Sequence, residues 1–102
     1  MPRKTLPGQF YEFHREQPNQ EVGKPIARIQ AQFRVLHRGD VYTPRSSDAM
    51  ALAKDVQKGK ADWEGAHEAG YYPHYHAAGK HEEYGHIFYG TRGYRQDENR
   101  RS

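Results

Sequence analysis

The stretch YYPHYHAAGKHEEYGHIFYG, residues 71–90, contains four of the chain's seven histidines and six of its twelve tyrosine and phenylalanine residues. Two short segments within it, roughly residues 71–76 and 85–89, have the alternation of side chains that is typical of β-strands. The intervening AAGKHEEYG contains two glycines, which is compatible with a hairpin. We therefore expect the two segments to pair as neighbouring antiparallel strands.

Alternation along these strands predicts which side chains share a face of the sheet. His74 and His76, together with Tyr72, lie on one face of the first strand. In a hairpin, His86 of the second strand lies across from His74 or His76, and directly opposed residues approach within about 5 Å at Cβ. The pattern predicts three imidazoles gathered on one solvated face of a small sheet.

Three imidazoles in this arrangement are compatible with three roles. They can be packing residues beside a tyrosine-rich half-core, although facing imidazoles repel each other when both are protonated. A His-x-His pair with a third histidine can also hold zinc with one position open for water, and Glu82 or Glu83 then serves as a base. Alternatively, two histidines supply, without a metal, the base and the acid that cleavage of RNA by its own 2′-OH requires.

The acid–base role assigns substrate contacts to cationic and aromatic residues near the histidines. Charged donors stabilise the charge that develops on a phosphate during cleavage. Tyrosine rings can stack on the bases of single-stranded RNA. The candidate catalytic residues are His74, His76 and His86, and the candidate substrate-binding residues are Lys80, Arg45, Tyr72, Tyr75, Arg92 and His81.

Upstream of the histidines, residues 44–58 (PRSSDAMALAKDVQK) predict a helix. Ser46 or Ser47 can cap it, and Asp48 suits the positive end of the helix dipole. Gly59 is a natural end point. An apolar stripe at helical spacing, which consists of Ala49, Leu52, Ala53 and Val56, provides the face that packs.

The segment ARIQAQFRV, residues 27–35, favours a half-buried strand because apolar and polar residues alternate without interruption. A helix is the alternative, since Pro25 suits a first helical position and four apolar residues share one helical face. These four are Ile26, Ile29, Phe33 and Leu36. After a turn at residues 37–40, residues 41–43 predict a second short strand, and residues 59–70 predict a loop that contains Trp63.

These elements together predict an α+β domain: a small antiparallel sheet with one main helix packed on it, and flexible termini. Residues 1–24 are rich in Pro, Gln, Glu and Gly and are expected to form a flexible N-terminal arm. Residues 25–92 are expected to form the single domain. The polar residues 93–102 are expected to be a frayed tail.

Composition narrows the classes of function. The chain has 102 residues, no cysteine and a formal net charge of +3. Without cysteine, disulfides, thiolate metal sites and cysteine nucleophiles are excluded. The basic balance favours an anionic partner such as RNA. No apolar run is long enough to span a membrane, and the first residues lack the apolar centre of a signal peptide.

Four pieces of the sequence together resemble the C-terminal toxin domains of bacterial polymorphic toxins, such as Rhs-type and LXG-type effectors. The pieces are KPIARIQ, GDVYTPRSSDAMALAKDV, YYPHYHAAGK and GHIFYG. The resemblance covers roughly residues 24–90, and its matching pieces are Val41–Val56, Tyr72–His76 and His86–Gly90.

This resemblance implies a toxin of intercellular competition that acts as a nuclease and is neutralised by a cognate immunity protein. The histidines in play are then His74, His76 and His86. Such a domain is secreted or delivered as part of a larger effector and acts in the cytoplasm of the target cell, which accounts for the lack of a signal peptide. A metal-independent ribonuclease without a cofactor is the first hypothesis. The alternatives are a non-catalytic module that binds nucleic acid or protein, and a hydrolase that uses zinc held by the same histidines.

Overall fold

The computed structural model describes residues 5–14, 21–56, 59, 61–64, 72–77 and 84–91. These residues contain six strands and two helices. In chain order they are β1 (Phe10–His14), β2 (Glu21–Ile26), α1 (Arg28–Leu36), β3 (Asp40–Thr43), α2 (Ser46–Val56), β4 (Ala61–Glu64), β5 (His74–Ala77) and β6 (Ile87–Tyr89).

The strands form one mixed sheet in the order β2-β1-β3-β6-β5-β4. Strands β3 and β6 run parallel, with Val41 opposite Ile87 and Tyr42 opposite Phe88. The other neighbouring pairs are antiparallel. After α2 the chain continues at the β4 edge and folds back through β5, so that β6 enters the middle of the sheet beside β3. The predicted α+β class is confirmed, and the central parallel pair makes the sheet mixed.

Both helices pack on the same face of the sheet, where they enclose the main hydrophobic core. The predicted helix over residues 44–58 is confirmed as α2, and its inward residues are the predicted ones. Burying a side chain such as Leu52 contributes roughly 1.5–3 kcal/mol. The core consists of Ala31 and Val35 from α1, Ala49, Leu52 and Ala53 from α2, and Phe10, Val41 and Ile87 from the strands.

The opposite face of the sheet carries a second, aromatic cluster. Tyr11, Phe13, Tyr42 and Phe88 are buried there, and Tyr72 packs against them. The Phe13 and Phe88 rings stack with their centroids 4.3 Å apart. Aromatic pairs of this kind add about 0.5–1.5 kcal/mol beyond the area that they bury. The second cluster forms the base on which the histidines described below are placed.

Residues 28–36 form helix α1, so the strand expected over residues 27–35 is wrong and the helical alternative is correct. Ala31 and Val35 are four residues apart and therefore meet the core from one helical face. The helix start is stabilised because the Ala27 amide donates to Gln30 Oε1 at 2.8 Å. Alternation alone does not distinguish a strand from a helix here, because residues four apart, such as Ala31 and Val35, share a face in both.

Part of the segment expected to be a flexible arm belongs to the sheet. Strand β1 lies between β2 and β3 and pairs with both. Its residues Phe10, Tyr11 and Phe13 are buried. The three buried aromatic residues of this strand outweigh the Pro, Gln and Gly content that favoured an arm over residues 1–24. Residues 93–102, the expected tail, lie outside the described part of the chain.

The loop expected over residues 59–70 contains the edge strand β4. Trp63 lies opposite Tyr75 of β5 in the antiparallel register. Its Nε1 donates a hydrogen bond of 2.6 Å to the hydroxyl of Tyr89 on β6. This hydrogen bond links the edge strand β4 to β6, which lies in the middle of the sheet.

The two sides of α1 give a stability test of the helix assignment. Val35→Ala should lower the free energy of unfolding by about 1–3 kcal/mol, because it removes two fully buried methyl groups. Phe33→Ala should change it by less than about 0.5 kcal/mol, because the Phe33 side chain is 60% exposed. Urea denaturation measures both values. A strand would place both side chains on one face, so equal costs would contradict the helix.

Candidate functional site

The predicted hairpin is present as β5 and β6. These strands are antiparallel, with His74 opposite Phe88 and Tyr75 opposite Ile87. The same register, continued by one residue, places His86 across from His76. Ile87 points into the core beneath the helices, and Phe88 points to the aromatic face. The sorting of side chains between faces therefore follows the alternation in the sequence.

The three histidines lie together on the face away from the helices. The rings of His74 and His86 stack with centroids 4.6 Å apart and an interplanar angle of 26°. The His76 ring is 5.4 Å from that of His86, at 48°. The His74 and His76 rings are 6.2 Å apart. The predicted convergence of the three imidazoles is present, and we refer to His74, His76 and His86 as the histidine cluster.

The histidine cluster is buried, so the expectation of a solvated face is wrong. The residues His74, His76 and His86 are 1%, 5% and 4% exposed. His74 packs between the His86 ring and the Phe88 ring, whose centroid is 4.9 Å away. Alternation along a strand identifies a shared face but does not report what covers that face, and for this reason the burial was missed.

Asp40, at a position predicted to be in a turn, binds the main chain just before β6. The backbone amide of His86 donates to Asp40 Oδ1 at 2.9 Å. The amide of Val41 donates to the His86 carbonyl at 3.1 Å. Arg34 Nε donates to the Asp40 carbonyl at 3.1 Å. Asp40 thus fixes the main chain that carries one of the three imidazoles. An aspartate directly before the strand predicted over residues 41–43 was the signal available in the sequence.

Gly85 brings the chain close to the turn that precedes β3. Its amide donates to the Val35 carbonyl at 2.8 Å. A Cβ at Gly85 would lie 1.6 Å from the Gly39 carbonyl oxygen. Because this contact is between two main-chain segments, only glycine fits at the position before His86.

Tyr42 and Tyr72 extend the aromatic face beside the histidine cluster. Their rings meet edge to face with centroids 5.3 Å apart. The Tyr42 hydroxyl donates to the Gly90 carbonyl. Burial, reinforced by the neighbouring Tyr72, raises the pKa of Tyr42 to about 12. Tyr42 is therefore a neutral hydrogen-bond donor at physiological pH and ties the end of β6 to β3.

The predicted substrate-binding residues do not all lie on the histidine side. Tyr72 does, since it packs in the aromatic cluster there. Tyr75 lies on the helix side, where its ring stacks on Tyr89 at 5.5 Å and its hydroxyl is 3.2 Å from Ser46 Oγ. Arg45 is exposed just before α2. Lys80, His81 and Arg92 lie outside the described residues.

The histidine cluster was also a candidate zinc site. Among the residues that the structure describes, no set of three or more His, Asp or Glu side chains is placed as the ligands of a metal ion would be. Glu82 and Glu83, the bases proposed for a metal mechanism, fall outside those residues.

Comparison of the chain with protein-family models, curated proteins and solved structures finds no match. Neither helix in the described part of the chain is long and apolar enough to cross a membrane.

Proposed function

We propose that this chain is a metal-independent ribonuclease of the polymorphic-toxin type, in which the histidine cluster supplies the acid and the base. The supporting observation is that β5 and β6 bring three imidazole rings within 4.6–6.2 Å of one another. Imidazole is the side chain whose ordinary pKa allows it to give and to take a proton near neutral pH. Two such groups in one site meet the requirement for paired proton transfer.

The reaction needs one neutral and one protonated imidazole. The neutral ring removes the proton of the ribose 2′-OH, whose oxygen then attacks the adjacent phosphorus. The bond from phosphorus to the 5′-oxygen breaks, and the protonated ring gives its proton to that oxygen. The products are a 2′,3′-cyclic phosphate and a 5′-hydroxyl, so both atoms and protons balance. The protein's contribution is positioning and proton transfer.

Geometry favours His76 and His86 as the acid–base pair. Their rings are tilted by 48° with centroids 5.4 Å apart, so they are not stacked on each other. His74 is stacked between His86 and Phe88 and is 1% exposed. We assign His74 the role of holding the His86 ring in place. Either member of the pair can be the base, since their roles exchange with the direction of the reaction.

Burial sets a condition on this mechanism. Rings that are at most 5% exposed reach a phosphate only when the structure around them opens. Exclusion of water from the closed site would strengthen the electrostatic contacts that stabilise a developing charge. Tyr72, which lies partly exposed on the same face, is the described residue best placed to stack on a base. Phosphate contacts by Arg45, Lys80, His81 and Arg92 remain part of the hypothesis.

The toxin assignment rests on the resemblance of the sequence pieces, two of which are neighbours in the fold. Residues from the GDVYT piece and the GHIFYG piece lie side by side as the parallel strands β3 and β6. Asp40 from the first piece binds the backbone of His86 from the second. Pieces that are distant in the sequence therefore assemble one site. A cognate immunity protein and action on RNA in the cytoplasm of a target cell belong to the same proposal.

The burial of the rings favours a second candidate, a non-catalytic binding module. In it the three imidazoles complete the aromatic core on the outer face of the sheet, and the net charge of +3 attracts nucleic acid or an acidic protein. Such a module shifts RNA in a gel and leaves it intact, and its affinity falls steeply with salt.

Cleavage of RNA in the presence of EDTA distinguishes these candidates. We expect the purified chain to cut single-stranded RNA in EDTA and to leave 2′,3′-cyclic phosphate ends. The matched control is a 2′-O-methyl RNA of the same sequence, which lacks the nucleophile and should stay intact. Intact RNA after incubation of the folded chain would overturn the ribonuclease. Cleavage that stops in EDTA would indicate a metal-dependent hydrolase instead.

A further inference from the structure

Helix α1 presents an apolar stripe to solvent, on the side opposite to the one that it packs against the core. Ile29, Phe33 and Leu36 are 64%, 60% and 37% exposed. Their spacing of four and three residues places them on one face of the helix. Ala31 and Val35 occupy the buried face. α1 is therefore apolar on two sides, and in the described part of the chain one of them packs against the core.

The stretch of chain that carries this stripe is basic. Residues 22–39 contain Lys24, Arg28, Arg34 and Arg38 and no aspartate or glutamate. The whole chain has a formal charge of +3, so this segment carries more positive charge than the net charge of the protein. The acid that pairs with Arg28, at 2.7 Å, is Asp55 on α2. A basic stretch with exposed apolar side chains is complementary to an anionic surface that accepts apolar groups.

We propose that the outer face of α1 binds the surface of an anionic lipid bilayer. Ile29, Phe33 and Leu36 insert between the headgroups, and basic residues of the same stretch contact lipid phosphates. Helices with a basic polar part and exposed Phe and Leu bind membranes in this interfacial way, lying along the surface and not spanning it.

The charge of the segment also argues against a second copy of the chain as the occupant. A symmetric contact through α1 would bring two copies of this basic stretch together, and like charges oppose such a contact. This inference concerns α1 and not the histidine cluster, which lies on the other face of the sheet. It does not depend on cleavage of RNA.

Vesicle flotation with the full chain tests the proposal. Vesicles of phosphatidylglycerol and phosphatidylcholine in equal parts should bind the chain, binding should weaken as salt is added, and vesicles of phosphatidylcholine alone should bind it much less. Phe33→Glu removes an inserted ring and adds one negative charge. Gln30→Glu is the matched control: it adds the same charge to the same helix outside the stripe and can keep the bond from the Ala27 amide.

We expect the partition coefficient of Phe33→Glu to be about tenfold or more below that of Gln30→Glu, because only the first loses apolar insertion. Circular dichroism should be unchanged in both, since both positions are exposed. Phe33→Trp should retain binding and show a blue-shifted emission on the anionic vesicles. Equal partitioning of the two glutamate variants would overturn the proposal. So would a wild-type chain that binds neither kind of vesicle, and an acidic protein would then be the better candidate for the occupant of α1.

Discussion

Replacing His86 or His76 with asparagine should lower the rate of RNA cleavage about 10²–10⁴-fold, the range expected when one member of an acid–base pair is lost. Asparagine keeps a polar side chain of similar reach, so the buried position is neither emptied nor filled by a purely apolar group. The rate is measured with a labelled single-stranded RNA in EDTA, and folding is checked by circular dichroism and urea denaturation.

His37→Asn is the matched control for these variants. His37 is exposed at the end of α1, where its ring stacks on Phe33 at 5.6 Å. The same change of side chain there should leave the cleavage rate unaltered. If folded His76→Asn and His86→Asn proteins also cleaved at the wild-type rate, the histidine cluster would be a packing feature and the acid–base proposal would fail.

His74→Asn separates positioning from proton transfer. We expect a smaller loss of rate than in His76→Asn or His86→Asn, because His74 acts through its contact with the His86 ring at 4.6 Å. The pH–rate profile should keep both its acid and its alkaline limb in this variant. In each of the other two variants one limb should disappear, because one of the two groups that transfer a proton is gone.

Gly85→Ala should lower the free energy of unfolding by about 3 kcal/mol or more, the upper end of the cost of overpacking. The new Cβ would lie 1.6 Å from the Gly39 carbonyl oxygen and 2.5 Å from its carbon. Neither atom belongs to a flexible side chain, so main-chain segments have to separate. Because the Gly85 amide also donates to Val35, this displacement would disturb the attachment of β6 to α1.

Gly59→Ala is the control for Gly85→Ala, because it adds the same methyl group at a position where there is room for it. Gly59 has a φ of 89°, and a Cβ there meets nothing within 4 Å. Alanine at this position costs only the left-handed backbone conformation, about 1–2 kcal/mol. Urea denaturation of the two variants gives the difference. If Gly85→Ala cost no more than Gly59→Ala, the close approach of residues 39 and 85 would be contradicted.

The spacing of residues in the sequence was sufficient to predict the elements in which that spacing fits only a helix or only a strand. The apolar stripe of α2 predicted its buried face, and alternation around His74 and His86 predicted the hairpin and the face that the imidazoles share. These features depend on neighbours in the sequence, because side-chain direction follows directly from helix or strand geometry. For this reason the three imidazoles could be placed together before any tertiary contact was known.

Other features depend on contacts between distant residues, and the sequence did not reveal them. The alternation of residues 27–35 fits a strand as well as a helix, and only packing of Ala31 and Val35 against the sheet decides between them. β1 lies in a segment rich in polar residues, and its aromatic side chains are buried only because it pairs with β2 and β3. The insertion of β6 beside β3, with the contact from Asp40 to His86, joins residues 46 positions apart.

Strands β5 and β6 hold three imidazole rings close together on one face of the sheet. Nuclear Overhauser effects between histidine ring protons, in a sample with labelled histidine, test it most directly. We predict cross-peaks between the rings of His74 and His86 and between those of His76 and His86, whose centroids lie 4.6 and 5.4 Å apart. A spectrum that retains the backbone contacts between β5 and β6 but lacks these ring-to-ring peaks would contradict this arrangement.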